Sequence, residues 1–174
     1  MIEMITLDIG CGPGKIPNSV GVDIRRTKGA DVIADIQYLP FKDQSVDKIL
    51  CYQLLEHVDD LIKAMEEINR VLKWGGRVII EVPHVKGLDA FRDPTHKNFF
   101  TIATMNYFTV NSGFSYYSKA RFKIISRRII LKNKWCGLLE KIVNLRPEFA
   151  EHFLGGNLKP HIVWVLENGE GKYF

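Results

Sequence analysis

The sequence predicts an α/β fold built on a twisted, mainly parallel sheet with helices on both faces. Three observations point there. Short β-branched runs recur between residues 5 and 52, each bounded by Gly, Pro or Asp, as in strands covered on both sides. An amphipathic helical period then runs over 59–73. A fifth apolar run, 77–82, follows at once, and a strand–helix–strand succession implies a right-handed parallel crossover.

Taken in order, Ile5 to Ile9 is a buried strand ending in glycines, Val20 to Asp23 a second, Asp31 to Asp35 a third and Asp47 to Tyr52 a fourth. In the helix, Leu61, Met65, Ile68 and Leu72 form the apolar stripe. Asp59 or Asp60 is placed to accept the free amides of its first turn, and Gly75-Gly76 to end it in the left-handed conformation. Arg77 to Val82 is the fifth strand, closed by Pro83. Beyond it, 101–108 and 135–144 read as helices, and 122–131 and 161–167 as strands whose pairing stays open.

The chain has 174 residues, 46% of them hydrophobic, with no repeat or linker, so a single domain over 1–174 is expected. That apolar content excludes a disordered chain, and no apolar run approaches the 18 residues of a spanning helix. MIEMITLD lacks a basic start and has two acids too early for a signal peptide. Cys11, Cys51 and Cys136 form neither a metal pair nor an even framework, which points to a reducing, cytoplasmic setting. The net charge of +4 is unevenly spread. Residues 1–83 carry 10 basic and 13 acidic side chains, and residues 84–174 carry 14 and 7.

The chemistry concentrates where the first strand meets its turn, Leu7-Asp8-Ile9-Gly10-Cys11-Gly12-Pro13-Gly14. Glycines there admit positive φ and close approach of a ligand at a strand's carboxyl end. A dinucleotide fingerprint needs glycine at the sixth place, where Lys15 stands, which disfavours a nucleotide-dependent oxidoreductase. A phosphate loop needs glycine at position 9 and Ser or Thr after the lysine, where Ile9 and Ile16 stand. What remains is Gly-x-Gly-x-Gly, followed by Asp23 and Asp35 at successive strand ends and Leu55-Glu56-His57-Val58 after the fourth strand. A carboxylate at Asp23 suits two ribose hydroxyls, and one at Asp35 suits an exocyclic amine.

In this combination the sequence resembles the class I S-adenosylmethionine-dependent methyltransferases, especially the type 11 group, which have a Rossmann-like fold. The resemblance runs over residues 5–83. It rests on the glycine turn, Val22-Asp23-Ile24, Ala34-Asp35-Ile36 with Leu39-Pro40-Phe41, Ser45-Val46-Asp47-Lys48-Ile49, Leu55-Glu56-His57-Val58, and Arg70-Val71-Leu72-Lys73-Trp74-Gly75-Gly76. Asp93-Pro94-Thr95-His96 with Phe99-Phe100-Thr101 is similar to a segment of some members.

The resemblance implies S-adenosyl-L-methionine as cofactor. Gly10, Cys11, Gly12 and Gly14 would pass under its methionine part, Asp8 would orient the ammonium, and Asp23 with Ile24 would hold the ribose. Asp35 and Ile36 would hold the adenine, and Tyr52, Gln53 and His57 would line the methionine end. Two departures from the family stand out. The first strand is expected to begin almost at Met1, where most relatives carry helices before it, and only Lys15 to Ser19 separate the last glycine from the second strand, leaving room for about one helical turn. The acceptor site must then be roofed by residues 84–174.

Methyl transfer from a sulfonium depends chiefly on alignment, and a hydroxyl acceptor adds the need for a base. His84, Asp93 and His96 are the candidate catalytic residues, and Tyr116 and Tyr117 are candidates to stack on an acceptor. His84, Asp93 and His96 match no metal-ligand spacing, and no metal is expected. Between Asp93 and Glu140 there is no acid and eight Lys/Arg, from Lys97 to Lys134, interleaved with aromatics. This predicts a basic groove beside the cofactor mouth, for a small anionic metabolite or RNA. The alternative is a non-catalytic cofactor-binding or activator subunit.

Overall fold

In a computed structural model, residues 4–169 are described apart from 111, 115, 134 and 135. Seven strands form one sheet in the order β3-β2-β1-β4-β5-β7-β6. They are β1 (Thr6–Ile9), β2 (Val20–Asp23), β3 (Val32–Ile33), β4 (Val46–Tyr52), β5 (Leu72–Pro83), β6 (Phe122–Leu131) and β7 (Pro160–Asn168). The first five run parallel, and β7 is antiparallel to both β5 and β6. The pairing of the last two strands, open from the sequence, is therefore a hairpin-like insertion of β7 between β5 and β6.

β1 and β4 are central, and their apolar side chains Leu7, Ile9, Ile49 and Cys51 are fully buried with Val78 and Ile80 of β5. Each such aliphatic contributes roughly 1.5–3 kcal/mol by leaving water. Trp164 of β7 extends this core, its indole N–H donating to the Ile102 carbonyl at 3.2 Å and its ring meeting Phe100 edge-on. No helix among the described residues is long and apolar enough to cross a membrane.

Helix α1 (Leu61–Val71) packs Ala64, Met65, Ile68 and Val71 inward. Of the two candidate caps it uses Asp60, whose carboxylate accepts the Lys63 amide at 2.9 Å. The helix does not end at Gly75-Gly76. Leu72 is already extended (φ −68°, ψ 132°), because it pairs with Val46 and its carbonyl accepts the Asn168 amide at 2.7 Å. Strand pairing captures the chain before the glycines. Gly75 (φ 74°) instead turns the irregular stretch of β5 where the register jumps from Val46–Leu72 to Lys48–Arg77.

The crossover from β1 to β2, residues 10–19, holds no helix, and neither does the connection from β2 to β3. The expected helix over 101–108 is a 3₁₀ turn, Thr104–Phe108. Of the expected 135–144 helix, Trp135 lies outside the described residues, and α3 covers Gly137–Val143. Two short helices, α2 (Asp89–Arg92) and α4 (Pro147–Ala150), complete the described secondary structure with 3₁₀ turns.

Among the described residues no basic groove forms beside the glycine turn. β6, which carries Lys123, Arg127 and Arg128, is the edge strand farthest from β1 on its side of the sheet. Phe122 pairs with Asn168, next to the Arg77–Glu167 pair, so β6 begins at the amino ends of the central strands, away from the glycine turn. Tyr116 and Tyr117 are exposed and pack against one another, 4.1 Å between ring centroids. Three of the cations are paired singly with acids: Lys97 with Asp59, Arg127 with Glu148 and Lys132 with Glu81. Lys134 lies outside the described residues.

Candidate functional site

The carboxyl ends of β1, β2 and β4 converge on the glycine turn. Gly10 (φ 75°) and Gly12 (φ 57°) take the left-handed conformation that lets the chain reverse directly off β1. The Gly10 amide still donates to Val22 at 2.8 Å, which anchors the turn to β2. Gly12 then donates its amide to Asp23 Oδ2 at 2.9 Å, while Asp23 Oδ1 accepts from Arg25 at 2.9 Å. Nothing lies within 4 Å of where a Cβ on Gly12 or Gly14 would stand, so the turn has an open face.

Carboxylates take the place of a crossover helix in holding this turn. Asp8 is buried, and its Oδ2 accepts the Ile16 amide at 2.8 Å, folding the loop back onto β1. Asp31 accepts the Gly21 amide at 2.8 Å and pairs with Lys15, whose ammonium holds the carboxyl below its ordinary range. Gly29 makes a close contact that no local motif signals. A Cβ there would stand 2.6 Å from the Gly12 carbonyl oxygen and 2.9 Å from the Lys15 nitrogen. The loop after β2 therefore presses backbone to backbone under the glycine turn.

Farther along the edge, Asp35 Oδ1 accepts the Gln37 amide at 2.9 Å, next to the buried Ile36. Ile24 is exposed beside Asp23. Cys11 is half-buried, and burial, with Asp23 and Asp8 close by, pushes its thiol up. Burial also raises the Tyr52 phenol, with Glu81 and Asp8 adding to it. Gln53 is left-handed (φ 52°), and its side-chain amide lies 3.2 Å from His161 Nδ1. His161 is buried next to Glu81 and Asp89, a polar cluster under the end of β4 that its featureless sequence surroundings did not signal.

The three acceptor-side candidates part company. His84 is 1% exposed, its Nδ1 accepting the Lys86 amide at 3.0 Å and its Nε2 lying 3.1 Å from Glu151. Both ring nitrogens are occupied, and burial pushes the imidazole's pKa down. Asp93 and His96 instead stand in one open loop. Asp93 Oδ1 accepts from the Thr95 amide (2.8 Å) and hydroxyl (2.6 Å), which lower its carboxyl pKa. His96 Nδ1 lies 2.9 Å from the Ala90 carbonyl, and its ring meets His57 edge-on at 4.7 Å. Beneath them Glu56 is 2% exposed, and burial raises its carboxyl to about 7. A separate surface pocket, among Lys73, Trp74 and Arg77, lies at the amino end of β5 and takes no part in this site.

Residues 7–80 match the family model for a methyltransferase domain. Over that segment, 74 of the 174 residues, the chain is similar to methyltransferase domains. An uncharacterized protein of Methanocaldococcus jannaschii is 39% identical over 93 residues, covering 46% of this chain and 41% of its own length. The Bacillus subtilis uncharacterized methyltransferase YcgJ is 31% identical over 128 residues, 54% of this chain and 50% of its own. The chain thus spans about half or less of these curated relatives. The crystal structure of YcgJ superposes with a TM-score of 0.61, covering 97% of this chain and 93% of that one at 22% identity. A SAM-dependent methyltransferase from Archaeoglobus fulgidus superposes at 0.62, covering 94% and 86% at 21% identity.

Proposed function

We propose that the chain binds S-adenosyl-L-methionine at the glycine turn and transfers its methyl group to a small acceptor held by residues 84–100. The observation that carries this reading is the Gly12–Asp23 hydrogen bond. It fixes a ribose-suited carboxylate against an open, left-handed backbone turn at the carboxyl end of β1.

The residues fit the group. Gly10, Cys11, Gly12 and Gly14 take the methionine part, with open space at Gly12 and Gly14, and Asp8 supplies negative charge for its ammonium. Asp23 with Ile24 takes the ribose, and Asp35 with Ile36 the adenine. Tyr52, Gln53 and His57 line the methionine end. When bound, S-adenosyl-L-methionine would supply a methyl group activated by its sulfonium, with the sulfur as leaving group. The chain's own contribution is alignment, worth roughly 7–11 kcal/mol in well-oriented reactions.

His84 is closed to an acceptor, so acceptor-side chemistry falls to the loop bearing Asp93 and His96. Phe91 and Phe99 flank that loop as an exposed stacked pair, 4.9 Å between centroids. Stacked rings beside dispersed cations favour a small acceptor with an apolar or flat portion over an extended RNA.

A thermal-shift series tests the reading. S-adenosylmethionine or S-adenosylhomocysteine should raise the melting temperature of the protein, and NAD should not. Asp23→Ala should abolish the shift. A shift with NAD alone would overturn the assignment. Labelled cofactor with cell extract split into RNA and small-molecule fractions should then mark the small-molecule fraction.

A further inference from the structure

Glu56, His57 and His96 come from two segments, the turn after β4 and the loop after α2, and meet at one point. One ligand atom from each lies within 4.8 Å of the other two. Three features make this a built arrangement. Glu56 is 2% exposed, and its Oε2 has no hydrogen-bond partner, the one buried side-chain polar atom in that condition among the described residues. An unpaired buried carboxylate oxygen is costly and calls for a counterpart.

The second feature is how the two rings are held. The Ala90 carbonyl can only accept, so His96 Nδ1 donates to it, and His96 presents the Nε2 lone pair. The Thr95 hydroxyl spends its hydrogen on Asp93 Oδ1 at 2.6 Å and so accepts from His57 Nδ1 at 3.0 Å. His57 then also presents Nε2. Metal-binding histidines are typically held in this way, the second ring nitrogen donating to a carbonyl or a carboxylate-backed group. The third feature is that both histidines are only half-buried, so the point they share is reachable from outside.

We propose that Glu56, His57 and His96 form a three-ligand site for a divalent first-row transition-metal ion of the zinc class, with Asp93, Thr95 and Ala90 as its positioning shell. Two imidazoles with one carboxylate suit zinc, cobalt or iron, whereas magnesium and calcium prefer all-oxygen sets. Donor atoms around a tetrahedral ion at about 2.1 Å stand about 3.4 Å apart, so side-chain rotation has to close the widest gap by about 1.4 Å. Three protein ligands leave a position open toward solvent, which a small molecule's oxygen or nitrogen can occupy. The inference stands on these contacts and does not depend on the methyltransferase reading.

The test is titration of tag-free, chelator-treated protein with cobalt(II) chloride, followed by visible absorption and calorimetry. One cobalt per chain is expected, with absorption bands of a histidine–carboxylate site, displaced by zinc. Glu56→Gln and His96→Ala should each weaken cobalt binding at least a hundredfold. Thr95→Val, which frees the His57 ring while keeping all three ligands, should weaken it about tenfold. The melting temperature and far-UV spectrum of each metal-free variant establish that it is folded, and Thr95→Val serves if a ligand variant is not. Cobalt binding unchanged in a folded ligand variant, or no stoichiometric binding to the unaltered protein, would overturn the site. S-adenosylhomocysteine titrated separately distinguishes the two readings: cobalt without the nucleoside would sink the methyltransferase assignment alone, and the nucleoside without cobalt the metal site alone.

Discussion

Gly12 donates its backbone amide to the carboxylate of Asp23, 2.9 Å away, tying the turn after β1 to the end of β2. The acid suited to a ribose thus also shapes the backbone that the rest of the ligand would rest on. Asp23→Asn and Asp23→Ala should therefore both lose more than one contact. Calorimetry with S-adenosylhomocysteine should show at least a hundredfold loss for Ala and a smaller one for Asn, whose side-chain oxygen can still accept from Gly12.

Gly29 gives a test that leaves every proposed ligand group in place. A methyl there would meet the Gly12 carbonyl at 2.6 Å and backbone nitrogen at 2.9 Å, with no flexible side chain to yield. Gly29→Ala should cost about 1–3 kcal/mol in chemical denaturation. It should also weaken cofactor binding by displacing the turn.

The two buried histidines set a pH dependence. Burial holds the pKa values of His84 and His161 below the ordinary value near 6.5. For a group whose folded pKa is depressed, the stability it contributes is present above the unfolded value and is lost as pH falls through the folded one. The histidine contribution to the melting temperature should fall as pH drops below about 6.5, and His84→Gln should remove part of that fall. An unchanged slope in the variant would exclude His84 as a source.

Arg70 ties the loop between β3 and β4 to α1. Its guanidinium donates to the Phe41 carbonyl at 2.8 Å, the Leu39 carbonyl at 3.0 Å and Glu67 Oε1 at 2.8 Å, and it pairs with Asp43. Glu67 is buried and also accepts the Leu39 amide at 2.9 Å. Arg70→Met would leave that carboxylate without its cation, and urea denaturation should register a loss of about 2–3 kcal/mol.

Most of the glycine turn and of the strands around it is legible in the residues because its signals are local. Strand runs, glycines that need positive φ and acids at strand ends all lie within a few positions of one another. Gly29 escaped because its reason is a backbone seventeen residues earlier, at Gly12. The end of α1 was misplaced because pairing of Leu72 with Val46 outweighs the glycines that follow. Glu56, His57 and His96 escaped as a group because forty positions of sequence separate two segments that the sheet brings together. The basic stretch misled because a charge count along the chain carries no direction, and β6 runs the length of an edge, spreading its cations from one end of the sheet to the other.

The helix-free crossover has a dynamic consequence. A helix would have stabilised residues 10–19 by its own repeating bonds, and each could break alone. Here Asp8, Asp23 and Asp31 each clamp a different backbone amide, at Ile16, Gly12 and Gly21, and the loop carrying Gly29 is wedged among them. Releasing one amide requires the layers to part, which exposes the others. In native-state hydrogen exchange the amides of Gly12, Ile16 and Gly21 should therefore open together, with one shared free energy, as a single latch.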